Sequence, residues 1–228
     1  MGMKNELYSV LNDFGKENIQ IEFQNNINSS IPKIKEILSK TIATIYEKKE
    51  NLDSDYNNFE KPISILCEAF LHFLLTITSL PSQRKLLLKE LEIDLIIPDI
   101  KTLFKDPNKT LIIKFDKDSS TIEYIKKIDN IQKNKGNIWI VSSSPLDINY
   151  RNYVIFKNKE ECQTFFANNK TIDKNYNNCV IDGKNQINKK KHNNMTNINP
   201  NAIPFSNIID DINKFLKDTK YRGFKFVT

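Results

Sequence analysis

With 228 residues, of which 39% are hydrophobic and 27% charged, the chain is long enough to bury a substantial core and too apolar for a disordered segment. Its net charge of +6 fits a polyanionic partner. The basic residues are nevertheless lysines apart from Arg84, Arg151 and Arg222, beside abundant Asn and Ile, a bias that an AT-rich coding sequence produces whatever the partner. The cysteines, Cys67, Cys162 and Cys179, are odd in number and form no C-x-x-C, which argues against a disulfide framework and for a reducing compartment. With only His72 and His192 to add, the sequence argues against a Cys/His zinc site. The start "MGMKNELYSV" has no apolar signal core, and the longest apolar run, "AFLHFLLTITSL", is too short to span a bilayer, so a cytoplasmic location is expected.

In chain order, Asn5–Phe23 reads as a weak helix and a short extended piece. Ile31, Ile34, Leu38, Ile42 and Ile45 then recur at helical spacing behind Ser30 as N-cap and Pro32 in the first turn. "EKKENLDSDYNNFEK" is a polar linker, and a second helix starts at Pro62 with Ile63, Leu66, Cys67, Phe70, Leu71, Leu74 and Ile77 on one broad apolar face. Pro81 ends it, and "SQRKLLLKEL" is expected to restart a helical turn.

Residues 92–98 and 110–115 are rich in Ile and Leu and read as strands, joined by the turn "KDPNK" with Pro107 at its second position. "SSTIEYIKKIDNIQKNKG" predicts a helix over 120–134, capped by Ser119 or Ser120 and ended by Gly136. "NIWIVSSSP" is an apolar strand of a sheet interior, "NYVIF" another strand, and "KEECQTFF" a short helix. From Asn168 to Asn201 twelve asparagines and the run "NKKKHNN" predict a surface insertion. "FSNIIDDINKFLKD" closes the chain as a helix with Phe205, Ile208, Ile209, Ile212 and Leu216 facing the core.

The order helix, strand, strand, helix, strand, strand, helix resembles the PD-(D/E)XK nuclease superfamily, the restriction-endonuclease-like fold, over roughly residues 60–156. "EIDLI" at 92–96 followed by "TLIIKFDK" at 110–117 looks like members with an E-I-D-L-I strand and then an apolar strand ending in E-x-K, and "IPDI" at 97–100 looks like the Pro-Asp of resolvase-type members. The resemblance implies an α/β fold: a helix–hairpin–helix–strand core with N-terminal and C-terminal helical additions. It also implies a site made of Glu68 on the first helix, Asp94 or Asp99 on the first strand, and Asp116 with Lys114 or Lys117 on the second. Glu68, Asp94, Asp99 and Asp116 would be the candidate ligands of Mg²⁺, a hard cation that prefers oxygen. The metal would stabilise charge on a scissile phosphate and help generate hydroxide.

Neither register of the second strand supplies acid-x-Lys. Aligned on Lys117, the carboxylate position holds Phe115; aligned on Lys114, it holds Ile112. The strand pairing leaves two choices for the aspartate. A tight turn at 106–109 opposes Asp99 to Asp116, with Ile100, Thr102, Phe104, Leu111, Ile113 and Phe115 as a core layer. An excursion over 99–106 brings Asp94 opposite Phe115 instead.

The expected function is therefore nucleic-acid binding, DNA before RNA, on a nuclease-like fold with a degenerate catalytic site. The alternatives are an active Mg²⁺-dependent DNA endonuclease or resolvase, and a non-catalytic protein-interaction domain. Lys101, Lys126, Lys127 and Lys133 are the candidate phosphate contacts, although lysine-coated helix faces are commonly just solvated. Mg²⁺ is the expected cofactor of an active form and no cofactor that of a degenerate one. No membrane partner is expected, and a homodimer is compatible with the sequence without being specified by it. The expected organisation is a helical extension over 1–55, the α/β core over 56–165, an Asn/Lys-rich insertion over 166–203, and a helix packed back on the core over 204–228. Five glycines with no Gly-rich loop after any strand argue against a Rossmann-like small-molecule binder.

Overall fold

The structure, a computed structural model, describes residues 27–50, 60–77, 80–117, 121–168 and 202–220. Helices α1 (Ile27–Glu50) and α2 (Glu60–Ile77) come first, followed by strands β1 (Gln83–Leu88) and β2 (Leu91–Ile97). Helix α3 (Ile100–Lys105) and a 3-10 turn at Pro107–Lys109 lead to β3 (Leu111–Phe115). Then follow α4 (Thr121–Ile128), β4 (Ile138–Ser142), β5 (Arg151–Val154), α5 (Lys159–Asn168), β6 (Ala202–Pro204) and α6 (Ile208–Asp218).

Among the described residues the strands form one sheet in the order β1–β2–β3–β4–β5–β6. β1, β2 and β3 pair antiparallel, and β3 to β6 pair parallel. The central strands are apolar on both sides because both faces are covered. On one face Leu95, Ile97, Ile113, Phe115, Trp139 and Val141 pack with α1, α2 and α6. On the other, Ile96, Ile112, Ile138 and Ile140 meet Tyr124, Ile125 and Ile128 of α4 and Leu103 of α3.

Several expectations are corrected. Residues 83–91 are not a helical turn but the edge strand β1 and a tight hairpin into β2. The turn residues Lys89 and Glu90 have φ 48° and 67°. Left-handed turns of this kind are normally signalled by Asn or Gly, so the hairpin was hidden. The connection between β2 and β3 is not a simple turn: the side chain of Asp99 caps α3, and Leu103, nearly fully buried, plugs that helix onto the second face. The tight-turn pairing is thereby excluded. Leu95 pairs with Ile113 and Ile97 with Leu111, so Asp99 does not oppose Asp116 and Phe104 is exposed rather than core. Helix α4 ends at Ile128, short of the expected 134, and α1 begins before Ser30. Cys67 is free and buried. The stretch Asn5–Phe23 and most of the asparagine-rich segment lie outside the described residues.

Candidate functional site

Glu68 comes from the middle of α2, one turn before His72, and is fully buried. A carboxylate in such a place must be paired, because an isolated buried charge costs far more than folding can return. Arg84 of β1 meets that need from one side: its Nε donates to Glu68 Oε1. From the other side Lys117, just past the end of β3, places its Nζ 2.5 Å from Glu68 Oε2.

Asp94 is also fully buried, and a local break in β2 accounts for its direction. Ile93 belongs to the cluster on the second face and Leu95 to that on the first, although residues two apart on a regular strand share a face. On the neighbouring strand, between the pairs Arg84–Leu95 and Leu86–Ile93, Lys85 has φ 53°. This left-handed backbone is uncommon for a residue with a side chain. The β2–β3 pairs stop at Leu95–Ile113, and Phe115 N–H then donates to Asp94 Oδ2 at 2.9 Å. Continuing that register sets Asp94 against Lys114, one residue short of the Phe115 expected. Lys114 Nζ lies 3.2 Å from Asp94 Oδ2, and Lys117 Nζ lies 2.5 Å from Asp94 Oδ1.

Two buried carboxylates are thus enclosed by three cations from β1, β3 and the segment after β3. Burial pulls the Lys117 ammonium towards the neutral form, but its hydrogen bonds to Asp94 and Glu68, with their charges, more than offset this and raise its pKa above the usual lysine value. Lys114 also lies over the ring of Tyr124, 4.5 Å from its centroid. Burial and the charges of Asp94 and Glu92 push that phenol well above its ordinary value, so it stays neutral.

Of the residues singled out from sequence, Glu68, Asp94, Lys114 and Lys117 converge. Asp99 does not join them; it accepts from Thr102 N–H at 2.7 Å as the cap of α3. Asp116 accepts from the hydroxyl of Thr121 at the start of α4. Lys101, Lys126, Lys127 and Lys133 are exposed. Lys127 pairs with Glu123 at 2.7 Å one helical turn away, and Lys133 reaches Asp129 O at 3.3 Å. Arg84 is not among the residues the sequence points to, because its strand reads there as a helical turn. His72 Nδ1, 3.2 Å from Ser82 Oγ, borders the cluster, and burial followed by the Arg84 charge lowers its pKa against the opposing pull of Glu68.

A Mg²⁺ ion requires near-octahedral oxygen ligands at about 2.0–2.1 Å. The residues present do not fit it. The seat between Glu68 and Asp94 is filled by the Lys117 ammonium, and the position that would supply a third carboxylate is Phe115, fully buried against Phe205. Among the described residues no three His, Cys, Asp or Glu side chains are grouped so as to hold a metal.

No protein-family model matches the sequence, and no curated protein matches it. Among solved structures the chain is similar to the restriction endonuclease PspGI–substrate DNA complex, with a TM-score of 0.52, 15% identity, and coverage of 94% of this chain and 93% of that one. It is also similar to metal-depleted Ecl18kI in complex with uncleaved DNA, with a TM-score of 0.47, 13% identity, and coverage of 98% and 80%. At these identities the likeness is one of fold.

Proposed function

We propose, from the premise that this α/β chain has a restriction-endonuclease-like fold, that it is a nucleic-acid-binding protein, DNA before RNA, whose carboxylate pair is closed by its own cations. The observation that carries the reading is the seat of Lys117, with Nζ 2.5 Å from both Glu68 and Asp94 while Arg84 and Lys114 engage the outer carboxylate oxygens. Five charges arranged in this way support the reading of a closed internal ion-pair network. The net charge of +6, the exposed Lys101, Lys126, Lys127 and Lys133, and the DNA bound in the PspGI complex all support a polyanionic partner.

The test combines retention and cleavage on single-stranded, duplex and branched DNA. Affinity should fall steeply between about 50 and 200 mM salt, with a log–log slope of roughly 0.9 per duplex phosphate contacted. No cleavage should follow addition of Mg²⁺ or Mn²⁺. Absence of any retention at about 50 mM salt would remove the binding function and leave the charge to coding bias.

One observation favours a second reading, that of a divalent-ion-dependent endonuclease. Glu68, Asp94, Lys114 and Lys117 come from the elements that the family resemblance implies, and they meet at one point. That reading requires Lys117 to leave its seat when DNA binds. Ion-dependent cleavage that Asp94→Asn abolishes would establish it in place of the first.

A further inference from the structure

The two carboxylates differ in how their oxygens are used. Glu68 Oε1 is taken by Arg84, and Asp94 Oδ2 by the Phe115 N–H and Lys114. The remaining oxygens, Glu68 Oε2 and Asp94 Oδ1, both face the Lys117 ammonium at 2.5 Å. Such oxygens would face a divalent ion in the same way, since calcium-type ions bind carboxylate oxygens at about 2.3–2.6 Å. The ammonium is held at the end of a mostly buried stem whose backbone follows directly from β3, so its position is set by the sheet rather than by a free surface side chain.

We propose that the Lys117 ammonium is the resident cation of this site: it occupies the place of a divalent ion, so the wild-type chain takes up none there, and its removal opens a divalent-cation site on Glu68 and Asp94. The inference rests on the closed-site reading above, but its test uses no nucleic acid, so failure of DNA binding leaves it standing.

Thermal melts are recorded with EDTA, Mg²⁺ and Mn²⁺ for the wild type, Lys117→Ala, Lys117→Gln, and Lys117→Ala combined with Asp94→Asn. The wild type should show no ion-dependent shift. Both single variants should start lower and gain about 5–10 °C in Mn²⁺ at a hundredfold excess over the dissociation constant. The double variant should not respond. Spin-resonance titration of Mn²⁺ should count a site in the single variants and none in the wild type. A wild-type Mn²⁺ site that Asp94→Asn removes would overturn the proposal. So would folded single variants that ignore the ion, or single variants that stay unfolded in its presence, since the seat would then accept no cation but ammonium.

Discussion

The carboxylate of Asp94 and the backbone N–H of Phe115 lie 2.9 Å apart, so a charged side chain carries on the ladder between β2 and β3 where their main-chain pairing stops. Asp94→Ala removes that acceptor and strips Lys114 and Lys117 of a counter-ion. A loss of about 3–5 kcal/mol is expected in urea unfolding, as for other broken buried pairs. Asp94→Asn retains an acceptor and should lose less. A loss below about 1 kcal/mol for Asp94→Ala would show that the network does not hold the fold.

Lys117 should make stability fall at alkaline pH. Its folded pKa lies above the ordinary 10.5, so its contribution is complete below that value and is lost as pH rises through the higher folded value. Melts of the wild type from about pH 9 to 12 should decline more steeply than those of Lys117→Met. Parallel curves would contradict the pairing.

His72 acts at the opposite end of the scale. Its folded pKa is depressed below 6.5, first by burial and then by Arg84, so its contribution is present above that value and lost as pH falls through the folded one. His72→Gln should flatten the decline in melting temperature between about pH 6.5 and 5. An unchanged profile would remove His72 from the acid response.

The aspartates that were equal candidates in the sequence should separate cleanly in the laboratory. Asp99→Ala removes a helix cap, with an expected loss of about 1 kcal/mol, and should leave nucleic-acid retention unchanged. Reduced retention without lost stability would assign Asp99 to binding instead.

Much of the architecture was legible because the strands after Glu92 are apolar on both faces and the helices carry broad stripes. Glu68, Asp94, Lys114 and Lys117 were legible through the family resemblance rather than through spacing. Arg84 was not, since the run Gln83–Leu88 lacks alternation and its hairpin turns on Lys89 and Glu90 in left-handed backbone without a glycine. Asp99 misled because a six-residue helix between β2 and β3 cannot be told from a turn by composition. What decided the connection was the burial of Leu103, a tertiary effect.

Phe115 meets the ring of Phe205 edge-on, with centroids 6.1 Å apart. A glutamate at this position would create acid-x-Lys with Lys117 in a single substitution, yet it would thrust a third carboxylate against the buried ring of Phe205, just before α6. The two rings are therefore coupled positions: a carboxylate at 115 is expected to be tolerated only where 205 carries a smaller or polar side chain.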